Sequence, residues 1–258
     1  MSVTDLGSVI APVFGPGYDR HAASYDHDTG HFNDFRQRAV SALRLRPGDT
    51  VLDVGCGTGL CFPWIQDHIG PSGKLIAVEP SREMLDKAMQ RVAQRGWGNV
   101  IPINAAATEF DVALSVDAVL LCATHDVLRS PSALANVFRH VRPGARLAAT
   151  GGKWAAPWLW PLNLLVFQLH GPYVSSFDGF DRPWRNLQAY CRDLHVRRIG
   201  WDTGFLVTGT TATPPSRPTP TPGNPPAPTP APGPIPEVMW SAATRAGRSG
   251  GGGLRPSA

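Results

Sequence analysis

The chain has 258 residues, 42% of them hydrophobic, which is enough apolar content for one sizeable core. Its formal net charge is +4, but after Thr210 four arginines stand against a single glutamate. Most of the charge therefore lies in the C-terminal segment and does not predict a nucleic-acid-binding face on the rest of the chain. The four cysteines lack the spacing of metal ligands, so we predict reduced thiols and no metal site.

The N-terminal region begins with a segment rich in glycine and proline, residues 1–17, which we predict to be a flexible leader. It has neither the charged start nor the long apolar core of a signal peptide, which favours a cytoplasmic protein. From His31 to Leu45 apolar residues recur at helical spacing. Arg46, Pro47 and Gly48 then end the predicted helix.

The rest of the chain is organised around VLDVGCGTGL at 51–60. Its apolar start predicts a buried parallel strand, and its glycines predict a turn in which a ligand can approach the backbone. A helix from Cys61 to Ile69 follows, with Pro63 in its first turn. Strand, glycine turn and helix N-terminus form a recurrent nucleotide-binding arrangement, although G-x-G-x-G differs from the dinucleotide fingerprint G-x-G-x-x-G.

Two further strands are predicted after this loop. The strand 74–78 ends at Glu79, where an acid can accept hydrogen bonds from ribose hydroxyls. Ser81 is the expected N-cap of a helix that runs to about Gln94. The strand 100–103 contains Pro102, which lacks an N–H, so we place this strand at the sheet edge.

We predict that the residues after 116 form the centre and the far side of the sheet. The apolar stretch 117–122 is a fourth strand, and His125 follows at its C-terminal end, where open α/β sheets bind ligands. A helix begins at Ser130 and Pro131 and ends near Val141, and a fifth strand covers 146–150. We predict a helix over 184–194 and a hairpin of strands 196–201 and 205–208.

Two segments have unusual compositions. Residues 151–180 are rich in tryptophan and leucine, but Pro157 and Pro161 break them into pieces too short for a transmembrane helix. Twelve of the 26 prolines lie between Pro214 and Pro236, so residues 211–258 are predicted to be a disordered Pro/Gly-rich tail.

Four segments resemble the class I S-adenosylmethionine-dependent methyltransferases: VLDVGCGTGL at 51–60, IAVEPSREML at 76–85, DAVLL at 117–121 and RPGARLAATG at 142–151. The resemblance covers roughly residues 18–210, which we take as the methyltransferase domain. It implies an α/β, Rossmann-like fold, with a mostly parallel seven-stranded sheet, helices on both faces and a terminal antiparallel hairpin. It also implies S-adenosyl-L-methionine as cofactor and a small-molecule acceptor.

The resemblance further implies roles for particular residues. Asp53 would help to orient the cofactor's ammonium group, Glu79 would take the ribose hydroxyls, and Tyr25 would face the methionine end. Ala106 stands where the family commonly has an acid that binds the adenine amino group, so the sequence departs from the pattern there. The predicted cofactor-binding residues are Tyr25, Asp53, Gly55, Cys56, Gly57, Gly59, Glu79, Pro80, Ala106 and Leu121.

The acceptor side is less constrained by the sequence. His125 is the candidate catalytic base, and His170, Tyr173 and Asp178 are candidates for the acceptor pocket. The tryptophan-rich segment is either a lid that completes the core or a surface for a hydrophobic acceptor, such as a lipid or quinone, at a membrane surface. Two alternatives stay open: an NAD-dependent oxidoreductase, which the glycine spacing disfavours, and a non-catalytic Rossmann-like binding module.

Overall fold

The computed structural model describes residues 24–212. Its strands are β1 Thr50–Val54, β2 Lys74–Val78, β3 Val100–Ile103, β4 Val116–Cys122, β5 Val141–Gly152, β6 Cys191–Ile199 and β7 Gly204–Thr211. They form one seven-stranded sheet in the order β3-β2-β1-β4-β5-β7-β6. The first five strands pair in parallel, whereas β7 is antiparallel to both β5 and β6. The predicted sheet with a terminal antiparallel hairpin is therefore confirmed.

The helices are α1 Tyr25–Asp28, α2 Asn33–Ala42, α3 Phe62–Ile69, α4 Arg82–Arg95, α5 His125–Arg129, α6 Pro131–Arg139 and α7 Trp160–His170. Short 3₁₀ turns occupy Gly30–Phe32, Pro157–Leu159, Gly171–Tyr173 and Arg185–Ala189. Successive residues of a strand point to opposite faces, so Val51 packs into the core with α2, α3 and α4, and Leu52 into the core with α5 and α6. Helices thus cover both faces of the sheet.

Several features of the helices and strands are as the sequence predicts, because they depend on single residues. The Ser81 side chain accepts a hydrogen bond from the Met84 N–H at 3.2 Å, and Ser130 caps α6 through the Ala133 N–H in the same way. Gly96 ends α4 in the left-handed conformation, with φ of 67°. Pro102 lies in β3, the edge strand, where its missing N–H leaves no ladder bond unmade.

One predicted helix near the C-terminal side is wrong, and one predicted strand is longer than expected. The helix expected over 184–194 is a 3₁₀ turn followed by β6, because the residues from Cys191 onward pair with β7 and extend the sheet. The fifth strand begins at Val141 rather than Arg146, since Val141 already pairs with Val116. Gly144 lies inside β5 with φ of 78°, at an irregularity of the strand.

The remaining predictions concern segments at the borders of the described part of the chain. The leader 1–17 and all but the first two residues of the tail 211–258 lie outside the described residues. Within 24–212 no helix has both the length and the apolar character needed to cross a membrane. The tryptophan-rich segment forms α7 and the turn before it, and it leaves Trp158 and Trp160 exposed.

Candidate active site

The glycine loop between β1 and α3 uses its three glycines differently. Gly55, Gly57 and Gly59 all have positive φ, between 57° and 76°. A Cβ on Gly55 would lie 2.5 Å from the Thr124 methyl carbon, and one on Gly59 would lie 2.7 Å from the Phe62 ring. A Cβ on Gly57 would meet nothing closer than the Tyr25 ring at 3.9 Å. Protein packing therefore requires glycine at 55 and 59, whereas Gly57 opens onto a cavity.

This cavity, the loop pocket, has a volume of about 280 Å³ and lies at the C-terminal ends of β1, β2 and β4. The residues of the predicted cofactor set that line it are Tyr25, Gly55, Gly57, Glu79, Pro80 and Ala106. The other members of the set, Asp53, Cys56, Gly59 and Leu121, are not among its lining residues. Cys56 and Leu121 pack instead into the two apolar cores. The structure thus brings six predicted residues together around one space.

Glu79 is fixed at the rim of the loop pocket. One carboxylate oxygen accepts the Gly57 N–H at 2.9 Å, and the other accepts the Ser81 N–H at 3.0 Å. The Asn104 amide donates to the backbone oxygens of Glu79 and Pro80, both at 2.9 Å. Glu79 lines the loop pocket, and a carboxylate oxygen can accept more than one hydrogen bond.

Asp53 is a buried acid beneath the same loop. Its side chain is 1% exposed, and its Oδ2 atom has no hydrogen-bond partner among the described residues. Burial, with a smaller contribution from the nearby Glu79 carboxylate, raises the pKa of Asp53 to about 7. A cation bound in the neighbouring pocket would favour the ionised form. The site therefore suits a ligand that carries an ammonium or sulfonium group.

A side-chain hydrogen bond and an ion pair hold helix α1 against the glycine loop. The Thr58 hydroxyl donates to Asp26, and Arg91 pairs with the other Asp26 oxygen at 2.6 Å. Tyr25 is thereby held against the open side of Gly57, with its ring edge-on to Tyr173 at 5.6 Å. Burial raises the pKa of Tyr25 to about 12, so its phenol stays protonated at neutral pH.

A second cavity, the apolar pocket, adjoins the loop pocket and has a volume of about 100 Å³. The two pockets share Tyr25, Cys122, Ala123 and His125 on their walls. Aromatic and aliphatic side chains from α2, α7 and the turns beside them dominate the lining: Phe32, Phe35, Leu165, Val166, Leu169 and Val174. A ligand in one pocket would therefore lie next to a ligand in the other.

The acceptor candidates from the sequence are only partly at this cavity. His170 and Tyr173 line the apolar pocket, but Asp178 is exposed and is not among its lining residues. Phe32 and Arg36 also line the apolar pocket and could not be predicted there, because a helical stripe such as 31–45 indicates a core face without showing that a cavity adjoins it. Cys122 was also missed, since it reads as the end of an apolar strand.

His125 lies in the wall between the two pockets and is only 3% exposed. Its Nε2 atom is 2.8 Å from the Gly152 carbonyl oxygen, which can only accept, so Nε2 carries the proton and Nδ1 holds the lone pair. The ring stacks on Phe180 at 4.6 Å. Burial lowers the pKa of His125 to about 4, so the ring is neutral and only weakly basic at neutral pH.

Comparisons with known proteins agree with this geometry. A family model described as a methyltransferase domain matches residues 51–144. Demethylmenaquinone methyltransferase of Symbiobacterium thermophilum is 29% identical over 137 residues, which are 50% of this chain and 55% of that protein. Nocamycin O-methyltransferase of Saccharothrix syringae is 30% identical over 138 residues, which are 52% and 49% of the two chains. The chain spans about half the length of these curated relatives.

A solved structure supports the fold over a longer stretch. The apo form of the S-adenosylmethionine-dependent methyltransferase SibL superposes with a TM-score of 0.54 at 20% identity, covering 72% of this chain and 56% of that one. At 20% identity the match is evidence for the fold alone. Residues 51–144 thus match a methyltransferase domain, and the strand order, the glycine loop and the acids at 53 and 79 agree with that match.

Proposed function

We propose that the protein transfers a methyl group from S-adenosylmethionine in the loop pocket to a small molecule in the apolar pocket. The observation that carries this proposal is that the two pockets adjoin at Tyr25, Cys122, Ala123 and His125. S-adenosylmethionine supplies a methyl group on a positively charged sulfur, which makes it reactive toward a nucleophile. The protein then has to position the acceptor and exclude water, and both needs suit a lined, half-enclosed cavity.

The described residues of the loop pocket fit the parts of this cofactor. Glu79 would accept the ribose hydroxyls, and the buried Asp53 carboxylate would attract the cationic methionine end. Pro80, Met84 and Ala106 offer an apolar lining for the adenine ring. Because Ala106 has no polar side chain, we expect the adenine amino group to be met by backbone or water.

We propose a hydrophobic acceptor, resembling a quinone or lipid, for the apolar pocket. Its lining is dominated by aromatic and aliphatic side chains, and one relative is named for demethylmenaquinone, a quinone. Outside the pocket, Trp158, Trp160 and Leu164 are 79%, 65% and 54% exposed. Large exposed apolar side chains on a lid suit contact with a membrane surface, from which such an acceptor could enter.

His125 remains a proposed base. Its Nδ1 lone pair is available, but the lowered pKa makes the ring a poor proton acceptor near neutral pH. None of the described residues that line the apolar pocket is a carboxylate. We therefore assign the main contribution to positioning and water exclusion rather than to proton abstraction.

Separate blockage of the two pockets tests the proposal. Leu169 lines the apolar pocket, so Leu169→Trp should fill it and abolish transfer of tritiated methyl from S-adenosylmethionine to a panel of alkylated quinols and phenols. Binding of S-adenosylhomocysteine should stay unchanged in this variant. Leu164→Trp, at an exposed position of the same helix, is the control and should keep both properties. Transfer by the parent to none of these acceptors, or equal transfer by Leu169→Trp, would contradict the proposed acceptor site.

Membrane contact has its own test. The triple variant Trp158→Ser, Trp160→Ser, Leu164→Ser should sediment with phosphatidylglycerol-containing liposomes less than the parent does, because its exposed apolar area is smaller. Trp201→Ser is the control, since Trp201 is 89% exposed but lies in the turn between β6 and β7. Equal sedimentation of the parent and the folded triple variant would remove the membrane-surface proposal and leave the acceptor pocket unaffected.

A further inference from the structure

Arg36 is a buried cation at the apolar pocket. It lies on α2, lines the pocket and is only 5% exposed. One terminal nitrogen donates to the Thr29 carbonyl oxygen at 2.8 Å and to the Asn33 amide oxygen at 2.9 Å, and the other donates to the Thr29 hydroxyl at 2.9 Å. The guanidinium group also acts on the Tyr25 phenol, whose pKa it lowers against the larger effect of burial. These neutral partners hold the guanidinium in place at the pocket.

Within residues 24–212 no carboxylate lies within ion-pair distance of Arg36, although nine other ion pairs of arginine or lysine are present there. Removing an unpaired charge from water costs several kcal/mol, and neutral hydrogen-bond partners recover only part of it. A buried arginine without a carboxylate is therefore most easily explained by an anion that enters the pocket.

The other polar groups of the apolar pocket carry no charge that would bind such an anion. Burial lowers the pKa of both His125 and His170, so both rings are neutral near pH 7. The remaining polar side chains are hydroxyls and a thiol, on Tyr25, Thr29, Thr150, Tyr173, Thr203 and Cys122. Among the described lining residues, Arg36 thus supplies the formal charge of the pocket, and the rest of the lining is largely apolar.

We propose that the apolar pocket selects an acceptor with an acidic oxygen on an otherwise apolar body, and that Arg36 binds this oxygen in its deprotonated, anionic form. The planar guanidinium group binds oxyanions well. An acceptor oxyanion would receive hydrogen bonds from the N–H groups that do not bond to Thr29 or Asn33. The apolar walls contact the body of the acceptor. The inference rests on the proposed function, because it names the chemical class of the acceptor for the same site.

Anion binding by Arg36 also explains why the apolar pocket needs no strong base. An acceptor that binds already deprotonated needs no carboxylate and no charged histidine to remove its proton. The cation favours the ionised acceptor by lowering the pKa of its acidic group. His125 can then remain neutral and serve as part of the wall between the pockets.

A pair of probes of nearly equal shape tests the proposal. Naphthalene-2-carboxylate and its neutral amide are titrated calorimetrically into the protein in the presence of saturating S-adenosylhomocysteine. The parent should bind the carboxylate at least about tenfold more tightly than the amide, because a charge-assisted hydrogen bond in a buried site exceeds a neutral one. In Arg36→Gln this preference should disappear. Arg38→Gln, on the same helix but with a side chain 54% exposed, is the matched control and should behave like the parent.

Measurements of folding and of cofactor binding show whether an unexpected result contradicts this inference, contradicts the proposed function, or reflects a misfolded variant. Arg36 also ties the segment around Thr29, so each variant is first compared with the parent by thermal unfolding. If Arg36→Gln does not fold, Arg36→Lys replaces it; this variant keeps the charge but loses the planar fork, and its preference for the carboxylate should fall several-fold. Lack of carboxylate preference in the parent, or its retention in folded Arg36→Gln, would overturn the inference. Failure of the parent to bind S-adenosylhomocysteine would instead overturn the proposed function.

Discussion

Substitution of Gly57 by alanine should impair cofactor binding much more than folding. The new Cβ would lie 3.9 Å from the Tyr25 ring, an ordinary contact, and would project into the loop pocket. The main cost to stability is the left-handed backbone at φ of 57°, roughly 1–2 kcal/mol for a residue with a Cβ. For a domain of this size such a loss lowers the melting temperature by about 2–8 °C.

The binding effect follows from the space that the ligand needs. A methyl group on the open side of Gly57 occupies the position where the ligand approaches the backbone, so affinity for S-adenosylhomocysteine should fall at least about tenfold, or about 1.4 kcal/mol. Gly59→Ala has the same backbone cost plus a 2.7 Å approach to Phe62, so it should lose more stability. Gly98→Ala, where nothing lies within 4 Å of the added Cβ, should leave both properties unchanged. Calorimetric binding by folded Gly57→Ala at the affinity of the parent would refute this reasoning.

Four further predictions use other parts of the chain. Glu79→Ala should weaken S-adenosylhomocysteine binding by about 1.5–3 kcal/mol in calorimetry, the range for hydrogen bonds to a charged group, while the exposed Glu83→Ala should not. Because the folded pKa of Asp53 is raised to about 7, affinity should rise by up to about tenfold per pH unit below 7, level off above it, and lose this dependence in Asp53→Asn. The same raised pKa makes the ligand-free parent lose stability as pH rises from about 4 to 7, so Asp53→Asn should melt above the parent at pH 8. A protein that ends at Ala212 should keep the melting temperature of the full chain; a large drop would show that the tail stabilises the domain.

The sequence predicts the parts of the site that depend on short-range signals. The glycines at 55, 57 and 59 and the acid at Glu79 lie at the ends of neighbouring parallel strands, which necessarily meet at one edge of the sheet. Pro102 at the sheet edge and the Ser81 cap follow in the same way from the chemistry of single residues. Such features need no knowledge of distant contacts.

Features that depend on long-range contacts could not be predicted from the sequence. Asp26 and Thr58 are 32 residues apart, yet their hydrogen bond fastens α1 to the glycine loop. The segment beginning at Cys191 has no clear strand signal of its own and becomes β6 because β7 offers an unpaired edge. Arg36 reads as an ordinary polar residue of an amphipathic helix until the fold buries it beside a cavity.

The central claim is that the loop pocket binds S-adenosylmethionine rather than a dinucleotide or no nucleotide. Calorimetric titration of the full chain with S-adenosylmethionine, S-adenosylhomocysteine and NAD tests it most directly. We expect saturable one-to-one binding of the first two ligands, no binding of NAD, and a fall of both affinities by at least about tenfold in Gly57→Ala. Binding of NAD alone would support an oxidoreductase, and binding of none of the three would support a non-catalytic module; either result would contradict the account.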